Sequence, residues 1–185
     1  PDQVRALHDV ISYAEGKAGM RHGVVRILPT PETAAGAQFG YELCKASSRV
    51  RGLCGGFSDG SVGDMAWGVG FLPTASGEEQ FYLVSKLVLD SRSAGALNPL
   101  CTIMVNVLDD LANVERMARR GREFGYASIA ALHPSHVAII NAIYRPQPKE
   151  VEHFRGMIAA MEAGAWVLCE KPLCLTVEQA AEVQR

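Results

Sequence analysis

Two carboxylates sit where strand-like runs of the sequence hand over to helix-like ones. Carboxylates at such places can hold a hard divalent cation or move a proton. The first is Glu32, in the run Leu28-Pro29-Thr30-Pro31-Glu32-Thr33. Val24, Val25, Ile27 and Leu28 precede it, interrupted only by Arg26, and read as a buried strand of a parallel sheet. Ala34, Ala35, Ala37, Phe39, Tyr41 and Leu43 follow it at helical spacing. In barrel and open α/β folds the loops at that strand edge converge on the site. The plainer role for Glu32 is to favour the positive end of the next helix, and this stretch alone favours the plainer role. The second carboxylate, Asp64, opens a short helical turn that it could simply cap. Asp59 lies in the same loop and is a rival ligand.

The five cysteines, Cys44, Cys54, Cys101, Cys169 and Cys174, form no C-x-x-C pair, and their number is odd. Three lie in apolar runs, which suits small buried hydrophobes in a reducing compartment and leads us to expect a cytoplasmic protein. A zinc site would need clustered Cys or His, which the sequence does not offer.

The elements that must position these groups alternate. A first helix spans residues 2–19, with Val4, Leu7, His8, Ile11 and Ala14 on one face. Strands are expected at 24–28, 50–54, 99–105 and 128–132. Helices are expected at 32–47, 64–67, 76–94, 109–124, 137–144 and 149–163. Gly68, Gly70 and Pro73 end the turn at 64–67, and Ser135 is placed to cap the helix at 137–144. His136 reads as a surface residue at that helix start, and Trp67 as a residue that lines the mouth of the site or packs, packing being favoured. A strand stub at 165–169 and a helix at 177–184, with Thr176 and Gln179 as a capping box, complete the chain. Regular βα alternation implies a parallel sheet. No G-x-G-x-x-G follows any strand, so a dinucleotide-binding unit is not supported.

Composition narrows the class. At 185 residues, 48% hydrophobic and 21% charged, the chain suits one ordinary α/β domain. A net charge of −2 gives no basic field for nucleic acid or membrane. No apolar run is long enough to cross a bilayer, and the N-terminus does not read as a signal peptide. The chain begins at Pro1 without an initiator Met, which leads us to expect a processed or excised piece.

Residues 3–163 resemble the C-terminal part of the HpcH/HpaI aldolase family, in its citrate lyase beta-chain-like, acyl-CoA lyase branch. The match is carried by Ile27-Leu28-Pro29-Thr30-Pro31-Glu32-Thr33, then Gly63-Asp64-Met65-Ala66 with Gly70 six residues after Asp64. It continues through Leu83 to Gly95 with Asn98-Pro99-Leu100, and through Gly125-Tyr126 to Leu132-His133-Pro134-Ser135-His136-Val137, with Asn141, Pro146 and Glu150 beyond. The resemblance implies the last four βα units of a phosphoenolpyruvate/pyruvate-type TIM (β/α)8 barrel. It implies a Mg²⁺ (or Mn²⁺) ion on Glu32 and Asp64. That ion would chelate the carboxylate and keto or hydroxyl oxygen of the substrate and stabilise the enolate formed as a C–C bond breaks or forms. Substrates would be malyl-CoA, citramalyl-CoA or citryl-type thioesters or 2-keto acids. His133 and Pro134 would border the CoA arm, with a rigid hydrogen-bonded turn as the alternative for His133. Pro29 and Thr30 would shape the pocket floor.

Two departures accompany the match. A barrel of this type takes roughly 200–250 residues, so the family's first four strands, with their basic residue for substrate carboxylate and CoA phosphates, would lie before Pro1. Four strands leave two open sheet edges, from which we expect self-association, in keeping with a homo-oligomer. At the other end, Val167-Leu168-Cys169-Glu170-Lys171-Pro172-Leu173 with Thr176 resembles the E-K-P segment of the Gfo/Idh/MocA oxidoreductases, where the Lys lies by the nicotinamide. The expected division is therefore 1–164 and 165–185. The readings carried forward are a Mg²⁺-dependent carbon–carbon lyase, a non-catalytic fragment or assembly subunit, and an NAD(P)-dependent oxidoreductase fragment.

Overall fold

A computed structural model describes residues 1–58, 62–104 and 108–164. Its centre is a parallel sheet of β1 (Cys54–Ser58), β2 (Leu100–Met104) and β3 (Ser128–Ile129) in the order β1-β2-β3. The register sets Gly55 beside Cys101 and Cys101 beside Ile129. A fourth segment runs parallel to the lead-in of β1 through an isolated bridge between Ile27 and Val50. Ile27 N–H donates to Arg49 O, Arg51 N–H to Ile27 O, and Cys54 N–H to Pro29 O. Each strand thus lies beside its predecessor in sequence, as expected from the βα alternation.

The helices follow from period and caps. They are α1 (Asp2–Lys17), α2 (Ala34–Gln38), α3 (Gly40–Lys45), α4 (Asp64–Val69), α5 (Phe81–Ser93), α6 (Leu111–Glu123), α7 (His136–Tyr144) and α8 (Pro148–Glu162). Asp110 caps α6 by accepting from Asn113 N–H, and Thr33 caps α2 by accepting from Gly36 N–H. Val84 and Val88 of α5, Val114 and Met117 of α6 and Ile140 of α7 pack with Cys101 and Tyr126 in one core cluster. A second cluster joins Val4 of α1 to Ile27, Val50, Leu53 and Leu87. Cys44, Cys54 and Cys101 are buried thiols, as expected of small core hydrophobes.

A buried ion pair fastens α1 to the edge segment. Arg49 Nη2 and Nη1 donate to Glu15 Oε2 at 2.6 Å and Oε1 at 2.9 Å. Glu15 also accepts from Gly23 and Val25 N–H, while Arg49 donates to Val25 O and Ser12 Oγ. The guanidinium, and these amides with it, hold the Glu15 carboxyl down at about 2 against the opposing pull of burial.

Several expectations need correction. Residues 24–28 form no regular strand. Pro29 and Pro31 have no N–H to extend a ladder, so only Ile27 is buried, and Val24, Val25 and Leu28 are exposed. The helix expected at 32–47 breaks at Phe39 into α2 and α3. The break seats Gly40 so close to Asp90 and Leu53 that a Cβ would fall 2.5 Å from Asp90 Oδ2. The second strand lies later than expected, at Cys54–Ser58, and the fourth is cut to Ser128–Ile129. Before α5 the chain makes a 3-10 turn at Glu78–Gln80.

The chain clusters into two compact units, Pro1–Tyr144 and Arg145–Arg185. The described part of the second is α8, opened by Gln147 N–H donating to Glu150 Oε2. The strand and helix expected within 165–185, with Lys171, Cys169 and Cys174, lie outside the described residues, as does the second part of the expected division.

Candidate functional site

Past the edge segment and past β1 the chain closes round a cavity of about 250 Å³. Thr30, Pro31 and Glu32 line it from the turn after the edge segment, Cys54 and Ser58 from β1, and Asp64 from the first turn of α4. The structure therefore brings both predicted carboxylates to one cavity, and among the described residues they are its charged lining. Both are exposed, which suits a hard ion that keeps some of its water. Among the described residues there is no group of three or more His, Cys, Asp or Glu that could hold a metal; a hard divalent ion held by one or two carboxylates takes its other donors from water and substrate oxygens. Two oxygen-donor carboxylates at one cavity are of the chemistry that would fit a magnesium-like ion.

Local chemistry fixes the two segments. Thr33 caps α2, which holds the turn carrying Glu32. α4 docks onto that turn through Gly68, whose backbone comes too near the Glu32 carbonyl for a side chain to fit. Gly70, at φ +89°, ends α4, a conformation that favours glycine. Sequence reasoning gave Gly68 only a helix-ending role; a glycine inside a helix also signals close approach.

Gln80 was not foreseen. Its buried amide copies a strand partner at the end of β1: Oε1 accepts from Ser58 N–H at 3.0 Å and Nε2 donates to Ser58 O at 3.3 Å. Nε2 also donates to Glu79 Oε1 at 2.9 Å, and Glu79 in turn accepts from the N–H and hydroxyl of Thr74. Burial raises the Glu79 carboxyl, but the Thr74 N–H, the Gln80 amide and the Thr74 hydroxyl outweigh it and hold it at about 2. Cys54 was read as core and is also cavity lining. Burial pushes its thiol up, the Thr30 hydrogen bond opposes this, and the charge on Glu32 adds to it. It is a neutral thiol at neutral pH.

The remaining candidates fall elsewhere. His133 and Pro134, at the turn between β3 and α7, are exposed and are not among the residues lining the cavity. His133 Nδ1 meets Ser135 Oγ at 2.8 Å and accepts weakly from Ser135 N–H. His136, expected at the surface, is fully buried, and its Nε2 lies 2.7 Å from Leu108 O, because the loop before α6 folds over the start of α7. Trp67, expected to pack, is 78% exposed. Asp59 lies outside the described residues.

Comparison with known proteins extends these observations. Residues 86–185 match the family model described as oxidoreductase family, NAD-binding Rossmann fold. The chain is 24% identical over 156 residues to the citrate lyase subunit beta of Leuconostoc mesenteroides subsp. cremoris, covering 84% of this chain and 49% of that protein. It is 22% identical over 165 residues to the mitochondrial citramalyl-CoA lyase of Homo sapiens, covering 88% of this chain and 48% of that one. Among solved structures, CitE from Mycobacterium tuberculosis in complex with magnesium, acetoacetate and coenzyme A matches with a TM-score of 0.59 at 21% identity, over 85% of this chain and 59% of that chain. The chain thus shares the fold of a citrate lyase beta-type protein and spans about half the length of the curated relatives it matches.

Proposed function

Because the chain belongs, through residues 86–185, to the oxidoreductase family with an NAD-binding Rossmann fold, while its curated relatives are named lyases, we propose that the two likenesses describe different pieces of it. Residues 1–164 are the last four βα units of a (β/α)8 barrel and carry half the site of a Mg²⁺- or Mn²⁺-dependent carbon–carbon lyase. Residues 165–185 are an appended segment in which Lys171 carries the oxidoreductase likeness. Strand order supports this division. Four parallel segments in a row lie beside their sequence predecessors, whereas a doubly wound sheet of order 3-2-1-4-5-6 reverses after three. A barrel keeps the sequential order all round. The strand–helix–strand unit of β2, α6 and β3 is common to both folds, so a match running from residue 86 is compatible with either.

The observation that carries the function is the meeting of Glu32 and Asp64 at one cavity. These two carboxylates would hold the divalent ion. When bound, such an ion polarises the oxygens of a 2-hydroxy or 2-keto acid and steadies the negative charge developed as the carbon–carbon bond breaks. The chain's own residues do the rest. The contact of Gly68 with the Glu32 turn holds together the two backbone segments that carry the carboxylates. Gln80 holds the end of β1 against the cavity. The neutral Cys54 thiol adds no third negative charge. His133 and Pro134 border the arm of a CoA thioester, with Ser135 holding the imidazole in place. The substrate is a hydroxyacyl-CoA thioester of malyl, citramalyl or citryl type, and the working form is a cytoplasmic homo-oligomer.

Calorimetric titration of Mn²⁺ into the wild type and Glu32→Gln tests this. Tighter binding by the wild type is expected, and equal affinity in both removes the site. The oxidoreductase reading, favoured by the family match, predicts instead that NADH fluorescence responds to the chain and that Lys171→Ala abolishes the response.

A further inference from the structure

The segment that carries Asp64 leaves the sheet at Ser58, the last residue of β1, and continues through α4 to Thr74. α4 is six residues long, too short to stand by itself, and buries Ala66. Both ends of the segment are held by one dipeptide, Glu79-Gln80, in the turn before α5. Gln80 takes the first end: its Oε1 accepts from Ser58 N–H at 3.0 Å and its Nε2 donates to Ser58 O at 3.3 Å. Glu79 takes the second: its Oε1 accepts from Thr74 N–H at 2.8 Å and its Oε2 from the Thr74 hydroxyl at 2.7 Å. The two side chains are joined in turn, Gln80 Nε2 donating to Glu79 Oε1 at 2.9 Å. Their own backbone is anchored on both sides. It runs into α5, whose Val84 and Leu87 are buried, and just before it Arg120 of α6 donates to Ser76 O at 2.7 Å. Ser58, Pro73 and Gln80 line the cavity together with Asp64, whereas Glu79 is not among the lining residues and has both oxygens occupied.

We propose that Glu79 and Gln80 are positioning residues for Asp64, tying both ends of the segment that carries it so that the carboxylate stands at the cavity before an ion arrives. This rests on the half-site reading above, in which Asp64 is a metal ligand. A segment fastened at both ends has already lost its loop freedom. Untied, it would have to be ordered as the ion binds, and that cost would be taken from the affinity. Neither residue touches the ion. Glu79 acts through Thr74, and Gln80 acts through Ser58. Glu79 is thus a carboxylate close to the site whose work is to hold backbone rather than metal.

The test uses the full chain and Mn²⁺ as the probe, well below the melting temperature of every variant. Glu79→Ala is expected to bind Mn²⁺ about fivefold or more weakly than the wild type. It is also expected to speed hydrogen exchange at Trp67 N–H and Gly70 N–H, which donate to Gly63 O and Ala66 O in α4. Unchanged affinity or unchanged exchange overturns the proposal and leaves the metal site standing. Glu79→Gln removes the charge but keeps an oxygen for Thr74 N–H and for the Gln80 amide, and it is expected to recover most of the affinity. If it binds as weakly as Glu79→Ala, the loss is one of charge and the proposal falls. Glu15→Gln loosens the fold at α1 without touching the Asp64 segment, and its Mn²⁺ affinity is expected to match the wild type. An equal loss there makes the effect one of general stability and also overturns the positioning role. Failure of the wild type to bind Mn²⁺ overturns the half-site reading and the positioning role with it.

Discussion

Gly68 lies against the backbone of Glu32. A Cβ built on Gly68 would fall 2.7 Å from the Glu32 carbonyl oxygen and 3.0 Å from Thr33 Cα. Since Asp64 opens the helix that contains Gly68, this contact packs the backbone that carries Asp64 against the backbone that carries Glu32.

Gly68→Ala is therefore predicted to reverse the usual sign. Alanine in a helix interior ordinarily gains roughly 0.5–1 kcal/mol over glycine. Here the methyl group must push α4 off the Glu32 turn, an overpacking cost of about 1–3 kcal/mol. A lower Tm together with weaker Mn²⁺ binding is expected; a raised Tm with unchanged metal affinity would contradict the contact.

Gln80→Ala should loosen the end of β1. It removes a buried amide that serves both backbone groups of Ser58, and leaving those groups without it costs about 1–3 kcal/mol. Denaturant unfolding measures the loss, and faster hydrogen exchange at the Ser58 amide is the accompanying sign.

The Glu15–Arg49 pair predicts an acid limit. The folded carboxyl titrates near 2, below the unfolded value of about 4.3. Its contribution is fully present above the unfolded value and is lost as pH falls toward 2. Thermal melts between pH 6 and pH 2 should show this decline. In Glu15→Gln the protein should be less stable at neutral pH, with that part of the slope missing.

The chain alone, given Mg²⁺ and malyl-CoA, is predicted to release little or no glyoxylate, because no basic residue lines the described cavity to hold substrate anions. Turnover at ordinary rates, on the order of 1–10³ per second, would show a complete site.

How much of this was legible depended on the range of each signal. α1, α5, α6, α7 and α8 could be read because periodicity and end signals act within a few residues, as with Gly125 after α6. The carboxylates were legible as types at strand ends, and both line one cavity. The edge segment was misread because an apolar run shows propensity but not whether a prolyl chain can extend a ladder. His136 and Gln80 were hidden for a different reason. Their partners, Leu108 O and the backbone of Ser58, lie 28 and 22 residues away, and no local pattern encodes such a pairing. Trp67 shows the converse, a large ring that the local pattern would bury and the fold leaves in water.

The clamp between α1 and the edge segment also acts as a guard against aggregation. Val25 stands on an outer stretch of backbone, where unpaired amides invite a strand from another molecule. Its N–H is taken by Glu15 and its carbonyl by Arg49, so at that residue an intruding strand finds neither donor nor acceptor. Acid that protonates Glu15 removes this cover together with the anchor, and leaves the Val25 backbone groups free beside the exposed Val24, Val25 and Leu28.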